Sequence, residues 1–195
     1  MQSLCVYCGA STGSDPLFVE AAQALGQTLA QRDIRLVYGG GSVGLMGEVA
    51  NAALNAGGKV TGVIPEALWK REVGHPGLTE ISVVPNMHVR KAQLIDLSDA
   101  FVALPGGFGT LDELFEVLTW QQIGYHHKPV GLLNIAGYYD SLLSFIQQAL
   151  SQGFVRGAHV ESLIVDTDVG RLIDRLSQSQ PVHVDRWIKH EAVQP

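Results

Sequence analysis

Residues 105–113 read Pro105-Gly106-Gly107-Phe108-Gly109-Thr110-Leu111-Asp112-Glu113. Glycines at 106, 107 and 109 let a backbone approach a ligand with no Cβ in the way. A helix that begins here offers unpaired N–H groups and the positive end of its dipole, which together make an anion site and most often a phosphate site. The spacing puts Glu113 on the first turn of that helix. A carboxylate beside a phosphate cradle repels the phosphate, so one reading gives it chemistry on another part of the ligand. The plainer reading gives it only a favourable interaction with the helix N-terminus, worth roughly 0.3–1 kcal/mol. A second constellation, Arg90-Lys91, falls at another predicted helix start. Positive charge there opposes the dipole, which suggests binding. Arginine supplies a planar fork for a phosphate or a base, and lysine a point charge. The plain alternative is a solvated pair on a helix face.

Other motifs exclude more than they assign. Gly39, Gly41 and Gly44 match G-x-G-x-x-G, a dinucleotide fingerprint when it follows a strand and opens a helix. The match is loose, because the turn follows the second predicted strand and Glu66 is the nearest acidic candidate for a ribose. No Gly-Lys-Ser/Thr follows, so this is not a Walker A loop. Cys5 and Cys8 form C-x-x-C inside a predicted strand, where residues three apart face opposite ways, so neither chelation nor a redox pair is expected. None of the seven histidines forms H-E-x-x-H or a zinc-spaced set with cysteine, and no metal is expected. His126-His127, at a predicted helix end, reads as a complement to the dipole. No G-x-S-x-G elbow is present.

The elements that must position these residues alternate. Predicted strands lie at 4–7, 34–38, 59–64, 81–84, 100–104, 129–134 and 163–165. Asp15-Pro16 is an N-cap followed by proline at the first helical position. The helix after it buries Phe18, Ala21, Ala22, Leu25 and Leu29. The next carries Leu45, Val49, Ala53 and Leu54 and stops at Gly57-Gly58. Further helices start at Asn86 and after the 105–109 turn, where Leu111, Leu114, Phe115 and Leu118 are apolar at helical spacing. Another runs from 139 to 151 with Leu142, Leu143, Ile146 and Leu150 inside, and a last one from 169 to 176. Residues 66–79 mix charge and breakers and read as a functional loop or lid. Strand and helix in alternation argue for a single doubly wound α/β domain with a parallel sheet over 1–179, and a polar tail over 180–195 containing Trp187. Ligands in such sheets sit at the carboxyl ends of strands. Both glycine turns, the 66–79 loop and Arg90-Lys91 fall there and can share one crevice.

Composition agrees. The chain has 195 residues, 46% of them hydrophobic, enough for one sizeable core. A formal net charge of −6 argues against binding along a nucleic-acid backbone. The two cysteines offer no disulfide framework and fit a reducing, cytoplasmic setting. The N-terminus shows no signal peptide, and no apolar run is long enough to span a membrane.

Taken jointly, Gly39-Gly40-Gly41-Ser42-Val43-Gly44-Leu45-Met46-Gly47, Met87-His88-Val89-Arg90-Lys91 and the 105–113 motif resemble the LONELY GUY (LOG) family of cytokinin riboside 5′-monophosphate phosphoribohydrolases. The resemblance runs from about Ser3 to Val165. It implies a Rossmann-like fold and hydrolysis of the N-glycosidic bond of an adenosine or N6-modified adenosine 5′-monophosphate. The products would be free base and ribose 5-phosphate, with no cofactor. It implies Arg90 and Glu113 as the catalytic pair. The substrate-binding residues would be Glu72, Arg90, Lys91, Gly106, Gly107, Phe108, Gly109, Thr110, Leu111, Asp112, Glu113 and Thr119, together with Gly39, Gly40, Gly41 and Met87. Trp69 and Met87 are candidates for the base pocket. The resemblance also implies a homodimer with the site near the subunit interface. A carrier of a nucleotide or of the molybdenum cofactor on the same fold is the alternative. A nicotinamide-dependent oxidoreductase is the third reading, disfavoured by the misplaced fingerprint.

Overall fold

The structure, a computed structural model, describes residues 1–70 and 74–179. Among these residues one sheet of seven parallel strands forms, in the order β4-β3-β2-β1-β5-β6-β7. The strands are β1 (Ser3–Tyr7), β2 (Arg35–Tyr38), β3 (Val60–Pro65), β4 (Glu80–Val84), β5 (Ala100–Ala103), β6 (Val130–Leu133) and β7 (Leu163–Asp166). The order runs outward from β1 in one direction and resumes from β5 in the other. The two central strands pair with Leu4 beside Ala100 and Tyr7 beside Ala103. Such a reversal opens a crevice at the strands' carboxyl ends.

Side chains alternate along the strands and build two cores. Leu4 and Val6 of β1 join one core with α1 (Pro16–Gln31), α2 (Gly44–Asn55) and α8 (Val169–Gln178). Cys5 and Tyr7 join the other with α4 (Met87–Asp96), α5 (Phe108–Gln122) and α6 (Asp140–Ser151). Cys5 and Cys8 are both free and buried in opposite cores, and burial drives the Cys5 thiol up to about 12. Neither is poised as a thiolate.

Local signals set the helix starts. Asp15 accepts the Leu17 amide at 2.9 Å ahead of Pro16. Asn86 accepts the Val89 amide at 3.0 Å and so fixes where α4 begins. Truncating such a cap typically costs about 0.5–2 kcal/mol.

Several expectations need correction. The 66–79 stretch opens with a short helix, α3 (Glu66–Trp69), and an unanticipated helix, α7 (Gly157–Glu161), precedes β7. In α6 only Ile146 is buried, while Leu142, Leu143 and Leu150 are half-buried. That helix lies toward the sheet margin against α7, where only one row reaches the core. Phe18 and Leu54 are likewise half-buried. In α5 the buried row is Thr110, Leu114, Val117 and Gln121, and Phe115 turns outward. His126 is no cationic complement to a helix end. It is buried, its Nε2 lies 3.0 Å from the Val117 carbonyl, and its Nδ1 accepts the Lys128 amide at 3.2 Å. Burial pushes it down to about 4, so it is a neutral core histidine. Trp187 and the 180–195 tail lie outside the described residues.

Candidate active site

A cleft of about 570 Å³ opens at the β1/β5 reversal, within the range of roughly 300–1,000 Å³ usual for small-molecule sites. One wall is the turn after β1, residues 8–13, and the other is the 105–110 turn after β5. Arg90 and Glu113 both line it.

Helix α5 begins at Phe108, with Gly107 as its N-cap. Glu113 is therefore its sixth residue, on the second turn rather than the first. The dipole's effect fades within the first turn, so a mere complement to the helix N-terminus does not explain Glu113. Its side chain is only 13% exposed, and Oε1 lies 3.3 Å from Arg90 Nη1, whose side chain is 12% exposed. Burial raises the Glu113 carboxyl above its usual value of 4.5, and the Arg90 charge pulls the other way.

Arg90 is held by backbone. Its Nε donates to the Val63 carbonyl at 3.1 Å and its Nη2 to the Gly39 carbonyl at 3.4 Å. Met87 Sδ lies 3.2 Å from Nη1. A Cβ at position 39 would overlap the guanidinium, so the glycine makes room for Arg90. The Gly39 turn is tied down in its own right. Tyr38 Oη donates to the Gly41 carbonyl at 3.0 Å and the His75 amide to the Gly40 carbonyl at 2.9 Å. Gly44 packs on the backbone of Ala10, and Glu66 is exposed and paired with Lys70 at 2.6 Å. The G-x-G-x-x-G match is thus accounted for by packing and by Arg90, and Glu66 is engaged away from the cleft.

The residues expected at the nucleotide site separate into groups. Arg90, Gly106, Gly107, Gly109, Thr110 and Glu113 line the cleft. A Cβ at Gly107 or Gly109 would meet nothing, whereas one at Gly106 would collide with Thr110. Phe108, Leu111, Asp112 and Thr119 instead line a shallow concavity on the outer face of α5, with Phe115, Glu116 and Trp120. Gly39 and Met87 contact Arg90 from outside the cleft, and Gly40 and Gly41 do not line it either. Lys91 is bound to Asp112 at 3.2 Å and Glu116 at 2.9 Å, clasping α4 to α5. Trp69 packs beside Gly74, away from the cleft. Glu72 lies outside the described residues.

Sequence reasoning missed Phe18, Leu45, Met46, Leu68 and Tyr138, together with the 8–13 turn, all of which line the cleft. The turn could have been found, because it follows the strand next to the order reversal. The apolar side chains carry no comparable signal. Among the described residues, no group of three His, Cys, Asp or Glu side chains is arranged to hold a metal.

Comparison with known proteins adds lineage to geometry. A family model described as "Possible lysine decarboxylase" matches residues 46–176. Cytokinin riboside 5′-monophosphate phosphoribohydrolase LOG1 of Arabidopsis thaliana is 48% identical over 180 residues, covering 92% of this chain and 84% of that protein. A rice (Oryza sativa subsp. japonica) protein named "Probable cytokinin riboside 5′-monophosphate phosphoribohydrolase LOGL2" is 49% identical, covering 92% of this chain and 74% of its own. The Moco carrier protein of Chlamydomonas reinhardtii superposes with a TM-score of 0.69 at 24% identity, covering 90% and 95% of the two chains, a likeness of fold alone. With a family match over residues 46–176 and relatives 48–49% identical along most of its length, the chain belongs to the LONELY GUY (LOG) family.

Proposed function

We propose that the protein hydrolyses the N-glycosidic bond of adenosine or N6-modified adenosine 5′-monophosphate, releasing the base and ribose 5-phosphate. The observation that carries this reading is the Arg90–Glu113 pair at 3.3 Å on the wall of a cleft that a glycine turn and a helix N-terminus also line. The printed names of the relatives support the substrate class. Breaking the bond builds positive charge on the sugar in an oxocarbenium-like state. The Glu113 carboxylate, placed against the ribose, stabilises that charge and orients water toward it. Water adds its oxygen to the sugar carbon and the base leaves with a proton. The free amides at the start of α5 take the 5′-phosphate and keep the sugar in register. Arg90 holds Glu113 in place and opposes the rise that burial gives its carboxyl. A carrier would have no use for a buried carboxylate set on a guanidinium beside its ligand, and this favours the enzyme.

The outer face of α5 serves, in the same proposal, as a homodimer interface near the site. Phe108 is 93% exposed there, beside Phe115 and Trp120. Large exposed aromatics grouped on one face mark association surfaces. Through this interface Phe108, Leu111, Asp112 and Thr119 would border the nucleotide site. No helix among the described residues is long and apolar enough to cross a membrane, and the two free cysteines fit the cytoplasm we assign.

The test is incubation with AMP, prenylated AMP, GMP and CMP, followed by chromatography. Free base with ribose 5-phosphate from the adenine nucleotides is expected. Intact nucleotides throughout would overturn the reading.

A further inference from the structure

The 105–110 turn is braced by a loop on the next strand over. After β6 the chain passes through a 3-10 turn (Ile135–Gly137) in which Ala136 and Gly137 take φ of 51° and 70°. This left-handed pair delivers two consecutive tyrosines to the glycine turn. Tyr138 Oη donates to the Gly106 carbonyl at 2.6 Å, and Tyr139 Oη to the Leu104 carbonyl at 2.5 Å. The Gly9 amide donates to the carbonyl between them, that of Pro105, at 3.0 Å. Three successive carbonyls, those of Leu104, Pro105 and Gly106, are therefore each occupied by a donor from elsewhere.

The loop that presents the tyrosines is itself fixed. Asn134 accepts the Tyr139 amide at 2.7 Å and donates to Asp140 at 2.7 Å. The two rings meet edge to face at 4.9 Å, and Phe18 closes on Tyr138 at 5.5 Å.

A planar trans peptide points its N–H opposite to its C=O. Holding the Gly106 oxygen on Tyr138 therefore holds the Gly107 N–H in the reverse direction. That amide belongs to the helix N-cap, whose N–H groups have no partner within the helix. We propose that Tyr138 is a positioning residue that keeps the Gly106 carbonyl oxygen occupied and the Gly107 amide aimed at an anion. Tyr139 only braces the turn, because the Leu104 carbonyl it holds shares its peptide with Pro105, which has no N–H. The ligand class is a sugar phosphate. The inference rests on the reading of this turn as the phosphate cradle.

The test uses the full chain with Tyr138→Phe and Tyr139→Phe, and ribose 5-phosphate as probe in calorimetry. Losing one hydrogen bond's worth of orientation in Tyr138→Phe is expected to raise the Kd of ribose 5-phosphate roughly tenfold. The KM of AMP should rise in parallel with kcat changed less than about threefold. Adenosine, which lacks the phosphate, should bind as it does to wild type. Tyr139→Phe, whose ring is buried and whose partner carbonyl precedes Pro105, should lower Tm while leaving the Kd of ribose 5-phosphate closer to wild type than Tyr138→Phe does. Unchanged ribose 5-phosphate affinity in Tyr138→Phe would overturn the inference, as would an equal loss for adenosine. The binding measurement needs no turnover. A wild-type chain that bound ribose 5-phosphate but left AMP intact would sink the proposed reaction, and the tyrosine inference would still be decided by the Kd ratio.

Discussion

Arg90 Nη1, near the start of α4, stands 3.3 Å from Glu113 Oε1 on the second turn of α5, and both side chains are largely withdrawn from solvent. The contact joins the two halves of the sheet across the β1/β5 reversal. It also sets the charge state of the carboxylate, because burial favours the neutral acid and the guanidinium favours the anion.

Arg90→Ala should therefore do two things. Hydrolysis of AMP should fall by about 10² or more, the scale of one well-placed electrostatic group. The residual activity should lose its acid limb at a higher pH than wild type. In the proposed mechanism Glu113 works as the anion, so activity should disappear as pH falls through its pKa. That pKa is already raised by burial and rises further once Arg90 is gone. A pH profile of kcat/KM checks both, and an acid limb that stays put or moves down would separate Arg90 from the charge state of Glu113.

Lys91 is read as a clasp between α4 and α5. Lys91→Met should lower stability by no more than about 1 kcal/mol, since pairs of this partly exposed kind are weak. Denaturant unfolding measures it. The KM for AMP should change less than about threefold, the mark of a group that does not hold substrate. A large rise in KM with unchanged stability would put the ammonium on the nucleotide.

Phe108→Asp should convert a dimer to a monomer in light scattering. A buried charge without a partner costs several kcal/mol in an apolar interface. Hydrolysis should fall with dimerisation if the site borders the interface. A variant that stays dimeric would move the interface elsewhere.

Acid stability should report His126. The unfolded chain takes its proton near 6.5 and the folded chain near 4. Between those values the unfolded state binds more protons, so stability rises with pH and is lost as pH falls from about 6.5 to about 4. His75 and His159 are also lowered by burial and add slope of the same sign. His126→Gln should flatten the dependence of Tm on pH in this window without abolishing it. An identical slope in the variant would mean that His126 titrates alike in both states.

Much of this was legible in the residues. The alternation of apolar strands and capped helices gave the parallel sheet, because Asp15, Asn86 and the glycine stops act locally. Arg90 and Glu113 were legible because their charges sit where a helix start or a phosphate cradle should not want them. The helix register was not: Gly107 rather than a later residue caps α5, and that moved Glu113 to the second turn. The partition of the motif was also hidden. Residues 108, 111, 112 and 119 project outward while 109, 110 and 113 project into the cleft, a difference of rotation about one helix axis. Tyr138 was invisible, since its position depends on two left-handed residues and on a contact with a distant turn.

The most direct measurement is AMP turnover by Glu113→Gln beside wild type, with nucleotide binding measured on the same preparations. The side chain keeps its size and loses its charge. The account predicts release of adenine slowed by about 10² or more, with AMP affinity within a few-fold of wild type. Full-rate hydrolysis of AMP by the variant would contradict it.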